Sequence, residues 1–284
     1  MAKDLLRQTR DYFRAQGIPE IDASILLEHL LACNRSEVQL KVLRMSDAEV
    51  DELDRNLRRL VLLRQNGEPV QYITGMAPFR YLEYQVGPGV LIPRPETESL
   101  VSIVLAEIKE RPTSQKMNVV DLGSGSGCIA ISLATERADL SVTAVENSIA
   151  ALSWLHKNVA TLAPRVRVVE SSVATACKGE SFDLVVANPP YIPNQQTLPM
   201  EVRKEPAVAL FGGDLQGMAI PALFISAATR LLKPGGFLAM EHDQTQAEAI
   251  ASLLNPAYEE IKLVNDLTGR PRFTTARKRQ RAAM

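Results

Sequence analysis

Two short stretches of this sequence hold residue types whose spacing could do chemistry. The first, NVVDLGSGSGCIAIS at 118–132, reads as an apolar strand, a glycine turn and the start of an apolar helix. That is where α/β sheets cradle nucleotides. Gly123, Gly125 and Gly127, with Ser124 and Ser126 between them, let the backbone turn sharply and let a ligand lie close against it. The spacing is G-x-G-x-G, whereas the dinucleotide fingerprint needs a glycine where Cys128 stands, which counts against a nicotinamide cofactor. Asp121, two residues before the first glycine, has a role if the ligand carries an ammonium group, as the methionine end of S-adenosylmethionine does. Glu146 ends the next predicted strand, where a carboxylate can accept hydrogen bonds from both hydroxyls of a ribose.

The second stretch is Asn188-Pro189-Pro190-Tyr191, directly after the apolar run FDLVVA at 182–187. It therefore falls at the C-terminal end of a strand, where open α/β sheets place ligands. Two prolines stiffen the loop and remove two backbone donors. The side-chain oxygen of Asn188 and the carbonyl of Pro189 can then take the two hydrogens of a planar NH2 group, with the ring of Tyr191 against its flat face. An amide or aromatic amine nitrogen is a poor nucleophile because its lone pair is delocalised. Holding both hydrogens directs that pair at an incoming methyl group and favours the charge that develops, without a dedicated general base.

These loops need a sheet to carry them, and the chain supplies one. From 93 onward strand-like and helix-like segments alternate: a helix near 96–110, strand 117–122, a helix after 127, strand 141–146, a helix near 149–161, and strands at 166–170 and 182–187. A helix near 216–232, strand 236–242, a helix near 244–254 and strands near 259–264 and 272–276 follow. This order predicts a mostly parallel sheet with helices on both faces and one antiparallel edge. Residues 4–67 instead show apolar residues at helical spacing (Leu5, Leu6, Tyr12, Phe13; Ile25, Leu26, Leu27, Leu30, Leu31; Val50, Leu53, Leu57, Leu60, Val61), read as the core of a small helical bundle. Ser46 with Glu49 is a capping box for its last helix. Residues 70–92, β-branched and aromatic with Gly and Pro, predict short strands or a hairpin. The basic tail 270–284 reads as a solvated, frayed end.

Composition narrows the function classes. The 284 residues carry 32 Lys+Arg against 33 Asp+Glu, a formal net charge of −1, which argues against a dedicated polyanion binder. No uncharged apolar run approaches the roughly 20 residues of a membrane helix, and the charged N-terminus has no signal-peptide core, so a cytoplasmic protein is expected. Cys33, Cys128 and Cys177 are far apart and form no C-x-x-C pair, so neither a disulfide framework nor a zinc site is expected. His29, His156 and His242 are equally scattered and read as surface or satisfied core histidines, with no metal.

The two loops, together with PVQYITG (69–75), GVLIPRPETE (89–98), LKPGGFLAMEH (232–242) and DLTGRPR (266–272), resemble the PrmC (HemK) family of glutamine N5-methyltransferases. The resemblance spans about residues 69–276; the N-terminal helices fit the family's small helical domain in size. It implies a class I, Rossmann-like methyltransferase fold with a helical substrate-binding domain at 1–68, a connector or hairpin at 69–92 and a S-adenosylmethionine-dependent domain at 93–284. The implied acceptor is the Gly-Gly-Gln glutamine of peptide chain release factors 1 and 2, met by a monomer with no nucleic acid or membrane involved. Asn188, Pro189, Pro190 and Tyr191 inherit the hold on the glutamine amide, with Asn188, Pro189 and Tyr191 catalytic. Asp121, Gly123, Ser124, Gly125, Ser126, Gly127, Glu146, Ser172, Val173 and Asn188 inherit the donor site.

IPRPETE is the most family-specific string, since sister enzymes acting on a ribosomal protein differ after the Pro-Arg. Arg94, Glu96, Thr97 and Glu98 either close over the donor or cap the following helix, and both readings stand. Relatives usually carry an acid near the adenine where this chain has Ser171-Ser172, a departure that puts that contact in doubt. Trp154 reads as helix packing. Two other classes share parts of the pattern: amino-methyltransferases acting on a ribosomal protein glutamine or on an adenine or guanine amino group, and non-catalytic proteins that keep the fold.

Overall fold

A computed structural model of the chain describes residues 5–280 and divides into two compact units. One comprises residues up to Met76 together with Leu198–Lys204; the other comprises Ala77–Thr197 and residues from Glu205 onward.

The first unit is built from α1 (Leu5–Ala15), α2 (Glu20–Leu31), α3 (Arg35–Leu43), α4 (Asp47–Gln65) and the short α5 (Val70–Thr74). Phe13, Leu26, Leu27, Leu53, Leu57 and Val70 are buried in its core, whereas Tyr12, read from its spacing as core, is 39% exposed. Ser46 and Glu49 form the expected capping box, and Asn34 with Glu37 forms a second one. Buried Arg64 joins Asp22 and Glu201, each at 2.6 Å, and Met200 packs on Gly67, so the returning segment is tied to this unit.

Residues 70–74 are helical, against the strand expected from Val70, Ile73 and Thr74. Pro69 starts the turn, Gly75 ends it in the left-handed region, and burial of Val70 and Tyr72 outweighs β-propensity. The hairpin follows, as β1 (Met76–Phe79) and β2 (Leu82–Gln85).

The second unit contains α6 (Thr97–Glu107), β3 (Met117–Leu122), α7 (Cys128–Glu136), β4 (Leu140–Glu146), α8 (Ile149–Leu162), β5 (Arg167–Glu170) and β6 (Phe182–Ala187). α9 (Ala219–Leu231), β7 (Leu232–Glu241), α10 (Ala247–Leu254), β8 (Tyr258–Asn265) and β9 (Pro271–Lys278) complete it. The strands order as β5-β4-β3-β6-β7-β9-β8, with the first five parallel. From β3 the chain moves outward to β4 and β5, then returns to lay β6 on the other side. The crevice at that reversal is where a doubly wound sheet binds its ligand.

The antiparallel strand is not at the rim. β9 inserts between β7 and β8 and pairs antiparallel with both. Phe273–Ala276 are buried there, whereas β8 alternates between covered and open positions as an edge strand does. Consequently Pro271–Lys278 is ordered sheet and not a frayed end. Arg272 pairs with Asp266, and Arg277 with Glu107 and Glu260. The remaining tail, including Arg281, lies outside the described residues.

Candidate active site

The ends of β3, β4 and β6 open into a cleft of about 290 Å³. The glycine turn forms its floor. Gly125 has φ +56°, and a Cβ there would meet only Val90 at 4.0 Å, so this position leaves room for a ligand against bare backbone. Gly127, in contrast, is pressed by Leu155 and serves packing, and it is absent from the cleft lining. Glu146 holds the turn from the side: it accepts from the Gly125 N–H at 2.9 Å and from the Asn147 and Ser148 N–H groups at 2.8 Å. Three of about four lone-pair positions on this carboxylate are used, which leaves one on the oxygen facing Gly125. Ser124, Ser126, Ser172 and Val173 line the same cleft. The Ser172 hydroxyl already accepts from the Ala174 N–H at 3.3 Å.

Asp121 sits behind the turn, fully buried, with no hydrogen-bond partner on either carboxylate oxygen. Burial pushes its pKa up to about 7, and the charge of Glu146 adds to that. A buried, unpartnered carboxylate is rare in folded proteins. Asp121 is not among the residues that line the cleft.

On the far side of the cleft, Asn188 lines the wall beyond β6, and its side chain is not free to rotate. Its NH2 group donates to the Thr97 hydroxyl at 3.1 Å, and Thr97 donates to Glu241 at 2.8 Å. The Tyr191 hydroxyl reaches the other oxygen of Glu241 at 3.4 Å. Thr97 opens α6 and Glu241 ends β7; both are buried, and burial pushes the Glu241 pKa up to about 7 against the pull of Thr97 and Arg272. Tyr191 is fixed from its backbone too, since the Gln246 side chain donates to its carbonyl at 2.9 Å. Pro190 lines the cleft, whereas Pro189 and Tyr191 lie behind it. Arg94, also on the cleft, pairs with buried Glu205, which accepts from the Ile92 N–H at 2.9 Å.

Comparison with known proteins decides the family. Residues 4–75 match the PrmC N-terminal domain model and residues 99–205 the Methyltransferase small domain model. Release factor glutamine methyltransferases are similar over nearly their whole length. The protein from Nitratidesulfovibrio vulgaris is 38% identical, covering 96% of this chain and 94% of its own. That from Escherichia coli is 35% identical, covering 96% and 97%. The chain belongs to the release factor glutamine methyltransferase family. Among solved structures, a methyltransferase from Pyrococcus furiosus aligns with a TM-score of 0.51 at 18% identity, covering 70% of this chain and 89% of that one. The Thermus thermophilus 16S rRNA N2 G1207 methyltransferase aligns with 0.51 at 20%, covering 72% and 50%. At those identities the shared property is the fold, a class I methyltransferase sheet.

Within this family member, no side-chain cap forms at the PRPETE segment. Thr97 makes no helix cap; the residue preceding α6, Glu96, makes none either, and Thr97 turns inward to Asn188 and Glu241. Glu98 accepts from the Arg80 N–H at 3.0 Å, away from the cleft. Glu241, Gln246 and Glu205 were not singled out from sequence. For Glu241 a signal existed: an acid closing the apolar run FLAM at a strand's C-terminal end, as Glu146 closes β4. His242 is a buried core histidine bonded to the Asp243 carbonyl and Thr274, each at 2.8 Å. Trp154 packs on Gly87 and donates to the Pro88 carbonyl at 3.3 Å.

Proposed function

We propose that this chain transfers a methyl group from S-adenosylmethionine to the side-chain amide nitrogen of the Gly-Gly-Gln glutamine in peptide chain release factors. The observation that carries the reading is the orientation of Asn188. With its NH2 group committed to Thr97, its oxygen is the atom left to accept from a substrate NH2 at the cleft wall. S-adenosylmethionine, when bound, supplies an electrophilic methyl group on a sulfonium centre.

The residues fit that donor. The bare backbone at Gly125 admits it, the spare lone pair of Glu146 suits a ribose hydroxyl, and the unpartnered Asp121 suits its ammonium. Ser172 and Val173, which line the same cleft, would border the adenine. On the acceptor side, the Asn188 oxygen takes one amide hydrogen and Pro190 shapes the wall; the Pro189 carbonyl and the Tyr191 ring, which stand behind the lining, would meet the amide only with a shift of their loop. With the donor bound, the amide nitrogen held by Asn188 would take the methyl carbon as the carbon–sulfur bond breaks, the bonding pair staying with sulfur. The methylated amide then sheds one proton along its hydrogen bonds to solvent. No strong base is needed, because the nitrogen becomes acidic as it gains the methyl group.

The helical unit is read as the hold on the protein substrate, and the chain as a monomer that needs no nucleic acid. The test is mass spectrometry of a bacterial release factor after incubation with the purified protein and S-adenosylmethionine. One added methyl on the Gly-Gly-Gln glutamine is the expected result. An unmodified release factor with intact donor binding overturns the substrate assignment.

A further inference from the structure

The chain Tyr191–Glu241–Thr97–Asn188 runs along the acceptor wall; Thr97 and Asn188 border the cleft, whereas Tyr191 and Glu241 stand behind it. It joins three separated parts of the sequence: the head of α6, the end of β7 and the loop after β6. We propose that Thr97 and Glu241 are positioning residues that set the hydrogen-bond polarity of this wall, keeping the Asn188 oxygen toward the cleft so that the site takes an NH2 donor and rejects a carboxylate.

The argument is one of proton counting. A threonine hydroxyl has a single proton. Ionised Glu241 can only accept, so it takes that proton, at 2.8 Å. The Thr97 oxygen is then purely an acceptor toward Asn188, and only the NH2 end of the carboxamide satisfies it. Turning the amide over would set its oxygen against the lone pairs of Thr97 and present donors to the cleft. Tyr191 spends its own proton on the second oxygen of Glu241, so one carboxylate orders both side chains. Thr97 is 2% and Glu241 1% exposed, which leaves little room for water to relieve a mismatch.

Protonation of Glu241 reverses the logic, since a carboxylic acid donates to Thr97 and releases the hydroxyl proton toward Asn188. The groups that face Glu241 are Arg272 on β9, which favours its charge, Glu96 ahead of α6, which opposes it, Tyr191 and Cys128. Burial places its titration near neutrality.

This inference rests on the proposed transfer to a glutamine amide, and its test keeps the two apart. Wild type, Thr97→Val, Thr97→Ser and Glu241→Gln are compared in two ways. In protein labelled with 15N-asparagine, the Asn188 NH2 signals, assigned with Asn188→Asp, should follow one titration near pH 7 in wild type and lose it in Thr97→Val and Glu241→Gln. In turnover at saturating donor, Thr97→Val should lose about 30-fold in kcat while donor Kd stays within about twofold, because a buried polar mismatch discriminates strongly.

Thr97→Ser, which restores the hydroxyl, should recover most of the rate. A release factor carrying glutamate in place of its acceptor glutamine should inhibit Thr97→Val about 10-fold better than it inhibits wild type, a gain that mere loosening would not produce. Unchanged Asn188 signals in Thr97→Val, or equal losses in Thr97→Val and Thr97→Ser, overturn the inference. A wild-type protein that leaves the release factor unmodified defeats the functional reading, while the Asn188 signals still decide the polarity.

Discussion

The two walls of the cleft are built by different means. The donor wall is local and made mainly of backbone: five residues of turn, Gly123 to Gly127, braced by a carboxylate one strand away that bonds three N–H groups. The acceptor wall is assembled from side chains far apart in sequence, Asn188 lying 91 positions after Thr97 and Glu241 lying 144 positions after it. Backbone donors survive any substitution except one to proline, so the donor wall should yield to added volume and resist removal of single side chains. The acceptor wall should fail when one side chain is removed. Its parts act in series.

The largest effect expected from that contrast is at Asn188. Asn188→Ala removes the side-chain oxygen proposed to accept from the substrate amide, and with it the orientation of the nucleophile. A loss of about 10³-fold in kcat is expected, the scale of one well-placed polar group in an active site, with donor Kd changed less than about threefold. Isothermal titration with S-adenosylmethionine beside single-turnover kinetics measures both. Near-normal turnover would break the distinction between the walls.

Gly125→Val probes the other wall. The backbone at φ +56° strains any β-branched residue, and its side chain would enter the space left open above the turn. Donor affinity should fall about 10- to 100-fold, while the acceptor wall, which shares no hydrogen bond with the turn, keeps its polarity. A variant that binds the donor normally but transfers slowly would show that the turn acts on the acceptor side as well.

How much of this was open to sequence follows the same division. Asp121, the glycine turn and Glu146 are readable because each is fixed by its neighbours along the chain and by the end of its own strand. Asn188-Pro-Pro-Tyr is readable for the same reason. The partners of Asn188 are not, because no periodicity links Thr97 to Glu241; only the sheet order, with β6 beside β7, brings that strand end to the wall. The insertion of β9 between β7 and β8 escaped in the same way: spacing predicts two strands and a short turn, not which one lies inside. Helical α5 was missed because burial of Val70 and Tyr72 overrides their β-propensity.

Each wall also hides one acid, and pH should separate them. Asp121 and Glu241 both titrate near 7 in the folded chain, above their ordinary values of 3.8 and 4.5, mainly because burial disfavours the charge. The folded state therefore holds protons that the unfolded chain has released between about pH 4 and 7. This contribution to stability is complete below that window and is lost as pH rises through 7, on the order of 3 kcal/mol for each group. Thermal unfolding at pH 5 and pH 8 should show the decline, and Asp121→Asn and Glu241→Gln should each flatten it. S-adenosylmethionine should restore stability at pH 8 in Glu241→Gln but much less in Asp121→Asn, because only Asp121 lies on the donor side. Equal rescue of both variants would mean that the unpartnered carboxylate has no share in holding the donor.

The smallest effect belongs to Ser172, which lines the cleft just beyond β5. Its hydroxyl is partly spent on the Ala174 N–H of its own turn, at 3.3 Å, so it has one acceptor position to offer an adenine amino group. Replacing it with alanine removes at most one neutral, solvent-bordering hydrogen bond. Donor Kd should rise by about two- to fivefold with kcat unchanged. Ser172→Asp supplies a charge-assisted acceptor in the same place and should tighten donor binding by a similar factor. If Ser172→Asp weakens binding instead, the adenine is held by the apolar walls alone. The donor wall would then lean on side chains no more than its backbone construction requires.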